Sequence, residues 1–329
     1  MTPVERFQLA MTAEASLSSW SAGAQVLALV TRLREQGWFR FLREPRSFEA
    51  LAEFSGLPVE RVRDVVDVLV AHGVTELRDE TSRLAPAFLE FTADDAFIGF
   101  DDSLDNALVL LRAVPELGGP SLSEEDALAI ARAAGGRAGE VGAAVMGLLL
   151  TQLEEIPAAL GRGRWLDVGC GVAGSTLSLA SSHPDLRATA VELLPVVAEE
   201  ARRTAERLGV ADRVDIRCQD ARDFTERDAF SAAFWAQPFF PRDSRPGTLA
   251  MVLAALEPGG YLFMQEMESE PEGEGLGAYR LRGLVYRGWG VPFGRPAEDL
   301  VAEAEAAGFE LVRIAVTGFG RCAVMRKPG

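Results

Sequence analysis

Twelve residues near the middle of the chain constrain its fold more than any others: Trp165-Leu166-Asp167-Val168-Gly169-Cys170-Gly171-Val172-Ala173-Gly174-Ser175-Thr176. A short apolar strand runs into an aspartate, then glycines, then the small residues of a helix start. Glycine lets the backbone turn sharply and approach a ligand closely, and a helix N-terminus presents unpaired N–H groups. A nucleotide-like ligand is expected at this turn.

Gly169, Gly171 and Gly174 keep the G-x-G-x-x-G spacing of dinucleotide-binding turns. Glu192 lies where such folds keep a ribose-binding acid. Taken alone, that pattern admits an NAD-dependent oxidoreductase. Asp167 shifts the balance. A carboxylate at the strand tip repels a pyrophosphate but suits a ligand carrying an ammonium and a sulfonium, and S-adenosylmethionine is that ligand. The plainer alternative is a carboxylate that only caps the strand end.

The segment resembles the first motif of the class I S-adenosylmethionine-dependent methyltransferases, D-x-G-x-G-x-G, with Ala173 in place of the third glycine. The later elements follow in the same order. Thr189–Leu193 is a second strand with a terminal acid, and Val214–Ala221 a third, ending in an acid-plus-small pair. Ala229–Phe234 is a fourth strand, and Gly260–Met264 a fifth after a Pro258-Gly259-Gly260 turn. Near the end, Leu311–Thr317 and Arg321–Met325 flank a tight glycine turn and must pair antiparallel. The resemblance covers residues 150–329 and implies an α/β, Rossmann-like seven-stranded sheet with an antiparallel last strand.

The formal charge of −16 argues against a nucleic-acid substrate, which needs a basic stripe. No apolar run is long enough to span a bilayer, and the N-terminus lacks a signal-peptide pattern. Cys170, Cys218 and Cys322 are too scattered for a disulfide framework or a zinc cluster. A cytoplasmic location without membrane contact is expected.

Residues 1–95 carry no nucleotide motif. Val26, Leu29, Val30 and Leu33 recur at helical spacing, and Arg46–Phe54 leads into a Ser55-Gly56-Leu57-Pro58 turn. A second helix bears Val62, Val65, Val66, Leu69 and Val70, and Thr75–Leu84 is a small hairpin. Together these describe a mainly helical winged helix. As a DNA reader it is poor, since residues 1–100 hold ten basic and fifteen acidic side chains. Small-molecule methyltransferases use a similar module for dimerisation, so a homodimer is implied. Residues 96–160 form a helical bridge: Asp101-Asp102-Ser103 caps a helix over Leu104–Val114, and Ser123 starts another that Gly135-Gly136 breaks. Residues 161–329 are the catalytic domain.

By the resemblance, Asp167, Gly169 and Gly171 frame the methionine part and the ribose, with Cys170 beside them. Glu192 accepts from the ribose hydroxyls and Leu193 packs near the adenine. Asp220 takes the adenine amino group, Ala221 leaves room for the ring, and Trp235 lies at the cofactor or in an aromatic wall. Related O-methyltransferases carry a histidine base just after the fourth strand; here the sequence is Trp235-Ala236-Gln237-Pro238-Phe239-Phe240-Pro241. His72 and His183 lie elsewhere, and no metal site is expected. The substrate-side groups are then Gln237 and Glu266, at the tips of the fourth and fifth strands, with Glu266 either a base or a loop cap.

The stretch after the fifth strand is expected to form a lid. It places Tyr279, Arg282, Tyr286 and Trp289, with Phe239, near a small-molecule substrate. The arginines either bind an anionic group or pair with the acids at 268–274. The reaction expected is in-line methyl transfer to oxygen or carbon of a small metabolite. A non-catalytic winged-helix regulator that senses S-adenosylmethionine is the alternative from another class.

Overall fold

The computed structural model describes residues 1–119 and 121–329, which divide into two units, Met1–Ala93 and Asp94–Gly329. The first unit opens with a long helix, α1 (Pro3–Glu35), whose start is set by a capping box between Thr2 and Glu5 with Pro3 in the first turn. It continues through α2 (Trp38–Phe41), β1 (Arg46–Ser47), α3 (Phe48–Ser55), α4 (Val59–Ala71), β2 (Thr75–Arg78), β3 (Thr81–Leu84) and α5 (Pro86–Phe91). The three short strands form an antiparallel sheet in the order β1-β3-β2. Ser47 caps α3, and Gly56 ends it in the left-handed region (φ 68°).

The stripe foreseen on α4 buries Val62, Val66 and Leu69, whereas Val70 faces out. Both arginines of α4 are paired with acids, Arg61 with Asp64 at 3.1 Å and Arg63 with Glu80 at 3.3 Å.

The second unit begins with α6 (Phe100–Ala113), α7 (Glu124–Gly135), α8 (Glu140–Gln152) and α9 (Glu155–Leu160). Helix α6 starts earlier than expected. Gly99 is its cap residue, and Asp101 and Asp102 lie in the first turn, where their charge favours the helix dipole. Ser123 caps α7 by accepting from the Asp126 N–H.

Then come β4 (Arg164–Val168), α10 (Gly174–Ser182), β5 (Ala188–Glu192), α11 (Pro195–Arg207), β6 (Val214–Cys218) and β7 (Phe230–Trp235). The chain ends through α12 (Arg245–Ala255), β8 (Leu256–Gln265), α13 (Leu276–Gly288), α14 (Ala297–Ala306), β9 (Glu310–Thr317) and β10 (Gly320–Arg326). The sheet order is β6-β5-β4-β7-β8-β10-β9, parallel throughout except that β10 runs antiparallel to β8 and β9. The Pro258-Gly259-Gly260 segment lies inside β8, not before it, with Gly259 at φ 76°.

Strands β4, β5 and β7 are buried on both faces, as a parallel sheet covered by helices requires. Trp165 joins one core layer, with Leu177, Ala190 and Phe263, while Leu166 and Val168 join the other, with Leu249 and Leu262. The strand order reverses between β4 and β7, so their carboxyl ends open on a crevice at the switch point.

Candidate functional site

The turn after β4 is held from two sides. The N–H groups of Gly169 and Cys170 both donate to the Val191 carbonyl of β5, at 2.8 and 3.1 Å. The Gly171 N–H donates to Glu192 Oε2 at 3.0 Å, and the Leu194 N–H to Oε1 at 2.9 Å. Gly169 and Gly171 adopt φ of 71° and 57°, a region that side chains disfavour. Ala173 adopts φ 56° all the same, so the small residue in the third glycine position fits at the expense of backbone strain. Gly174 has a packing reason to be glycine. A Cβ there would overlap the carbonyl oxygens of Gly135 and Gly136, where the end of α7 crosses the start of α10.

A cavity of about 730 Å³ opens over this turn. Asp167, Gly169, Cys170, Gly171, Glu192, Leu193, Asp220, Ala221 and Trp235 all line it. Its volume lies in the range of small-molecule and cofactor sites. Asp167 is 4% exposed; Oδ2 accepts from the Thr176 hydroxyl at 2.6 Å and Oδ1 has no partner. Burial lifts its pKa to about 7, Thr176 opposing and the Glu192 charge adding to the rise. Burial also raises Glu192, against the N–H groups of Leu194, Gly171 and Leu193. The Cys170 thiol is driven well above its ordinary value by burial and by both carboxylates. A buried and a half-buried carboxylate thus face the cavity with no cation bonded to either, an arrangement that a cationic ligand would relieve.

Asp220 differs. It caps a 3-10 turn over Ala221–Asp223 and accepts from the Arg222 guanidinium at 2.7 Å, which lowers its pKa.

The substrate-side expectations fare unevenly. Phe239 and Trp289 line the large cavity. A smaller neighbouring cavity of about 200 Å³ is lined by Gln237, Phe239 and Tyr286. Glu266 lies in neither. Its Oε2 accepts from the Ala297 N–H at 2.9 Å at the start of α14, and Oε1 accepts from Ser269 at 2.5 Å. Arg321 stands 3.4 Å away. Glu266 therefore ties β8 to α14 and, of the two uses expected for it, has the geometry of a loop cap.

Tyr279 lines neither cavity. It is 4% exposed and packs behind Phe293, a lining residue of the smaller one, ring centroids 4.9 Å apart. Arg282 pairs with Glu268 at 2.9 Å and Arg280 with Glu270, so these two arginines of α13 neutralise neighbouring acids.

Gln237 is a buried bracket. Its Nε2 donates to the Gln265 carbonyl at 3.2 Å, and Arg245 donates to its Oε1 at 3.0 Å and its main-chain carbonyl at 2.7 Å. Arg245 is 1% exposed, binds Glu303 through two nitrogens and lies over the Trp235 ring at 4.6 Å.

Sequence reasoning missed the roof of the site. Ala127, Ile130, Ala131 and Ala134 of α7 line the large cavity, as do Gln219, Phe240 and Met267. The i, i+3, i+4, i+7 spacing on α7 was a visible signal that the helix buries a face, but not over what. Among the described residues, no three His, Cys, Asp or Glu side chains gather into a metal-binding group, and no helix is long and apolar enough to cross a membrane.

Residues 166–260 match the family model described as a methyltransferase domain. A carboxy-S-adenosyl-L-methionine synthase of Chromohalobacter salexigens is 33% identical over 103 residues, 30% of this chain and 38% of that protein. One from Klebsiella pneumoniae is 34% identical over 104 residues, 30% of this chain and 42% of that protein. The chain thus matches only about two fifths of the length of these curated relatives.

Among solved structures, the mitomycin 7-O-methyltransferase MmcR superposes with a TM-score of 0.70 at 21% identity, over 98% of this chain and 99% of its own. Human N-acetylserotonin methyltransferase, solved with S-adenosylmethionine, gives 0.68 at 16%, over 96% and 98%. The amino-demethyl-riboflavin dimethyltransferase RosA of Streptomyces davawensis gives 0.65 at 17%, over all of both chains. The stretch 166–260 thus matches a methyltransferase domain, set in a chain that shares the fold of the solved methyltransferases MmcR and N-acetylserotonin methyltransferase.

Proposed function

We propose that this chain transfers a methyl group from S-adenosylmethionine to a small-molecule acceptor. The observation that carries the reading is the pair of carboxylates, buried Asp167 and half-buried Glu192, beside the glycine turn at the β4/β7 switch point. They lie within the stretch that matches the methyltransferase family, and a cationic cofactor would supply the missing counter-charge. Asp167 and the turn would hold the methionine part, Glu192 the ribose, and Leu193, Asp220 and Ala221 the adenine. The sulfonium makes the methyl group an electrophile; the protein's part is to align the acceptor with it and exclude water.

Phe239, Tyr286 and Trp289 would bound the acceptor. A homodimer formed through the first unit is supported by α1, where Phe7, Met11, Leu17 and Trp20 are at least half exposed. The three free thiols fit a cytoplasmic setting. The internally paired arginines of α4 favour this use of the unit over DNA reading.

Calorimetry with S-adenosylmethionine, S-adenosylhomocysteine and NAD tests the central reading. The two adenosyl compounds are expected to bind and NAD is not. Absence of both adenosyl compounds at millimolar concentration would overturn it. Size-exclusion chromatography with light scattering reports the dimer, and a monomer at micromolar concentration refutes that part.

A further inference from the structure

The smaller cavity shares Ile130, Ala134, Pro238, Phe239 and Met267 with the larger one, so the two lie side by side, with the glycine turn lining the larger. The far end of the smaller one is aromatic. Tyr286 packs between Phe239 and Phe293, with ring centroids 5.5 and 5.3 Å away. Flat rings fill such a slot well.

The ionisable groups on this end are all committed. Glu268 accepts from Arg282 Nε at 3.0 and 3.1 Å through its two oxygens. Arg295 donates to Glu303 at 2.7 Å. Gln237 uses both ends of its amide. Burial pushes the Tyr286 phenol up to about 12, so it is neutral and cannot accept a proton.

The larger cavity offers no better base on the acceptor side. Asp167 and Glu192 belong to the glycine turn, Asp220 is locked on Arg222, and Asp243 is exposed to solvent. Cys170 stays protonated. Among the described lining residues there is neither an imidazole nor a lysine ammonium.

Such a site places no buried base beside a hydroxyl, and each guanidinium that lines it already donates to a protein oxygen, Arg222 to Asp220 and Arg295 to Glu303, so an anion meets no free donor there. An alkyl ammonium would bring in a charge without a partner and would still need a base. An aryl amine meets none of these objections. Its nitrogen is neutral near pH 7 and carries the lone pair that attacks.

We propose that the acceptor is an uncharged aryl amine and that methyl transfer proceeds without a protein base. The nitrogen lone pair forms the bond to the methyl carbon while the carbon–sulfur bond breaks with its electron pair left on sulfur. The extra proton on nitrogen then passes to water. This inference rests on the methyltransferase reading above.

The test uses the full chain and three matched probes of one ring system: 1-naphthylamine (neutral), 1-naphthoate (anionic) and 1-naphthylmethylammonium (cationic). Binding of S-adenosylhomocysteine is measured first; its failure strikes the methyltransferase reading itself. With that ligand bound, the neutral amine is expected to bind roughly tenfold or more tightly than either ion. Equal or tighter binding of an ion, or no binding of the amine at millimolar concentration, overturns the proposal.

Trideuteromethyl-labelled S-adenosylmethionine then reports turnover of the amine by mass spectrometry. With S-adenosylmethionine kept saturating at every pH, the expected rate is flat between pH 6 and 9. A bound amine that is not methylated, or a rate that rises through a protein pKa in that window, overturns it as well.

Discussion

The charge of Asp167 yields the sharpest prediction about this protein. Its carboxyl sits at about 7 when buried in the cofactor-free chain, against an ordinary value of 3.8. In that window the native state holds a proton that the unfolded state has released. Stability therefore falls as pH rises from about 4 to 7, and the ionised form costs about 4 kcal/mol at most above pH 7.

A cation bound at the turn reverses the preference, because it favours the ionised carboxylate. Affinity for S-adenosylmethionine is expected to rise roughly tenfold per pH unit below 7 and to level off above it. Glu192, raised in the same direction, adds to the slope.

Asp167→Asn keeps the shape and the bond from Thr176 but cannot ionise. In urea melts at pH 8 without ligand, D167N is expected to gain about 1–3 kcal/mol over the parent, and the gain should vanish near pH 5. In calorimetry its binding curve should lose about one proton of pH dependence and most of its affinity for the sulfonium compound. A parent affinity flat from pH 5.5 to 8, or an unchanged slope in D167N, would refute the assignment of the linked proton.

Three further outcomes follow from the packing. Ala173→Gly relieves the left-handed backbone but loosens the unfolded chain, so its melting should stay within about 1 kcal/mol of the parent; Ala173→Val should lose 2 kcal/mol or more in the same melts. Arg245→Met leaves the half-buried Glu303 with Arg295 alone and frees the Gln237 loop, at a cost of about 3 kcal/mol by denaturant titration. Glu266→Gln weakens the hold on the start of α14 and should lower stability by about 1–3 kcal/mol while S-adenosylhomocysteine affinity stays within twofold; a change confined to affinity would return Glu266 to the ligand site.

Local chemistry made the glycine turn legible in the chain itself. Glycines before a small-residue helix start, an acid at the preceding strand tip and apolar runs of strand length are signals contained within a few residues. They place Asp167, Gly169, Gly171 and Glu192 on one crevice because parallel strands share a carboxyl edge. Ser123 at its cap and the antiparallel pair β9–β10 were legible for the same reason.

Contacts distant in the chain were not. Whether Glu266 faces a ligand or the Ala297 N–H depends on where α14 docks, 31 residues later. Tyr279 and Arg282 share a helix with Tyr286, yet only the packing of α13 on Phe293 and Glu268 decides which of them reaches a cavity. The roof from α7 and the bracket of Arg245 on Gln237 and Glu303 likewise arise from chain segments that meet only after folding. The sequence by itself determined the sheet and the cofactor turn, since backbone conformation and hydrophobic period are local properties. Tertiary structure alone decided which polar groups remain free for chemistry, since each buried polar group is claimed by whatever partner the fold brings within hydrogen-bond reach.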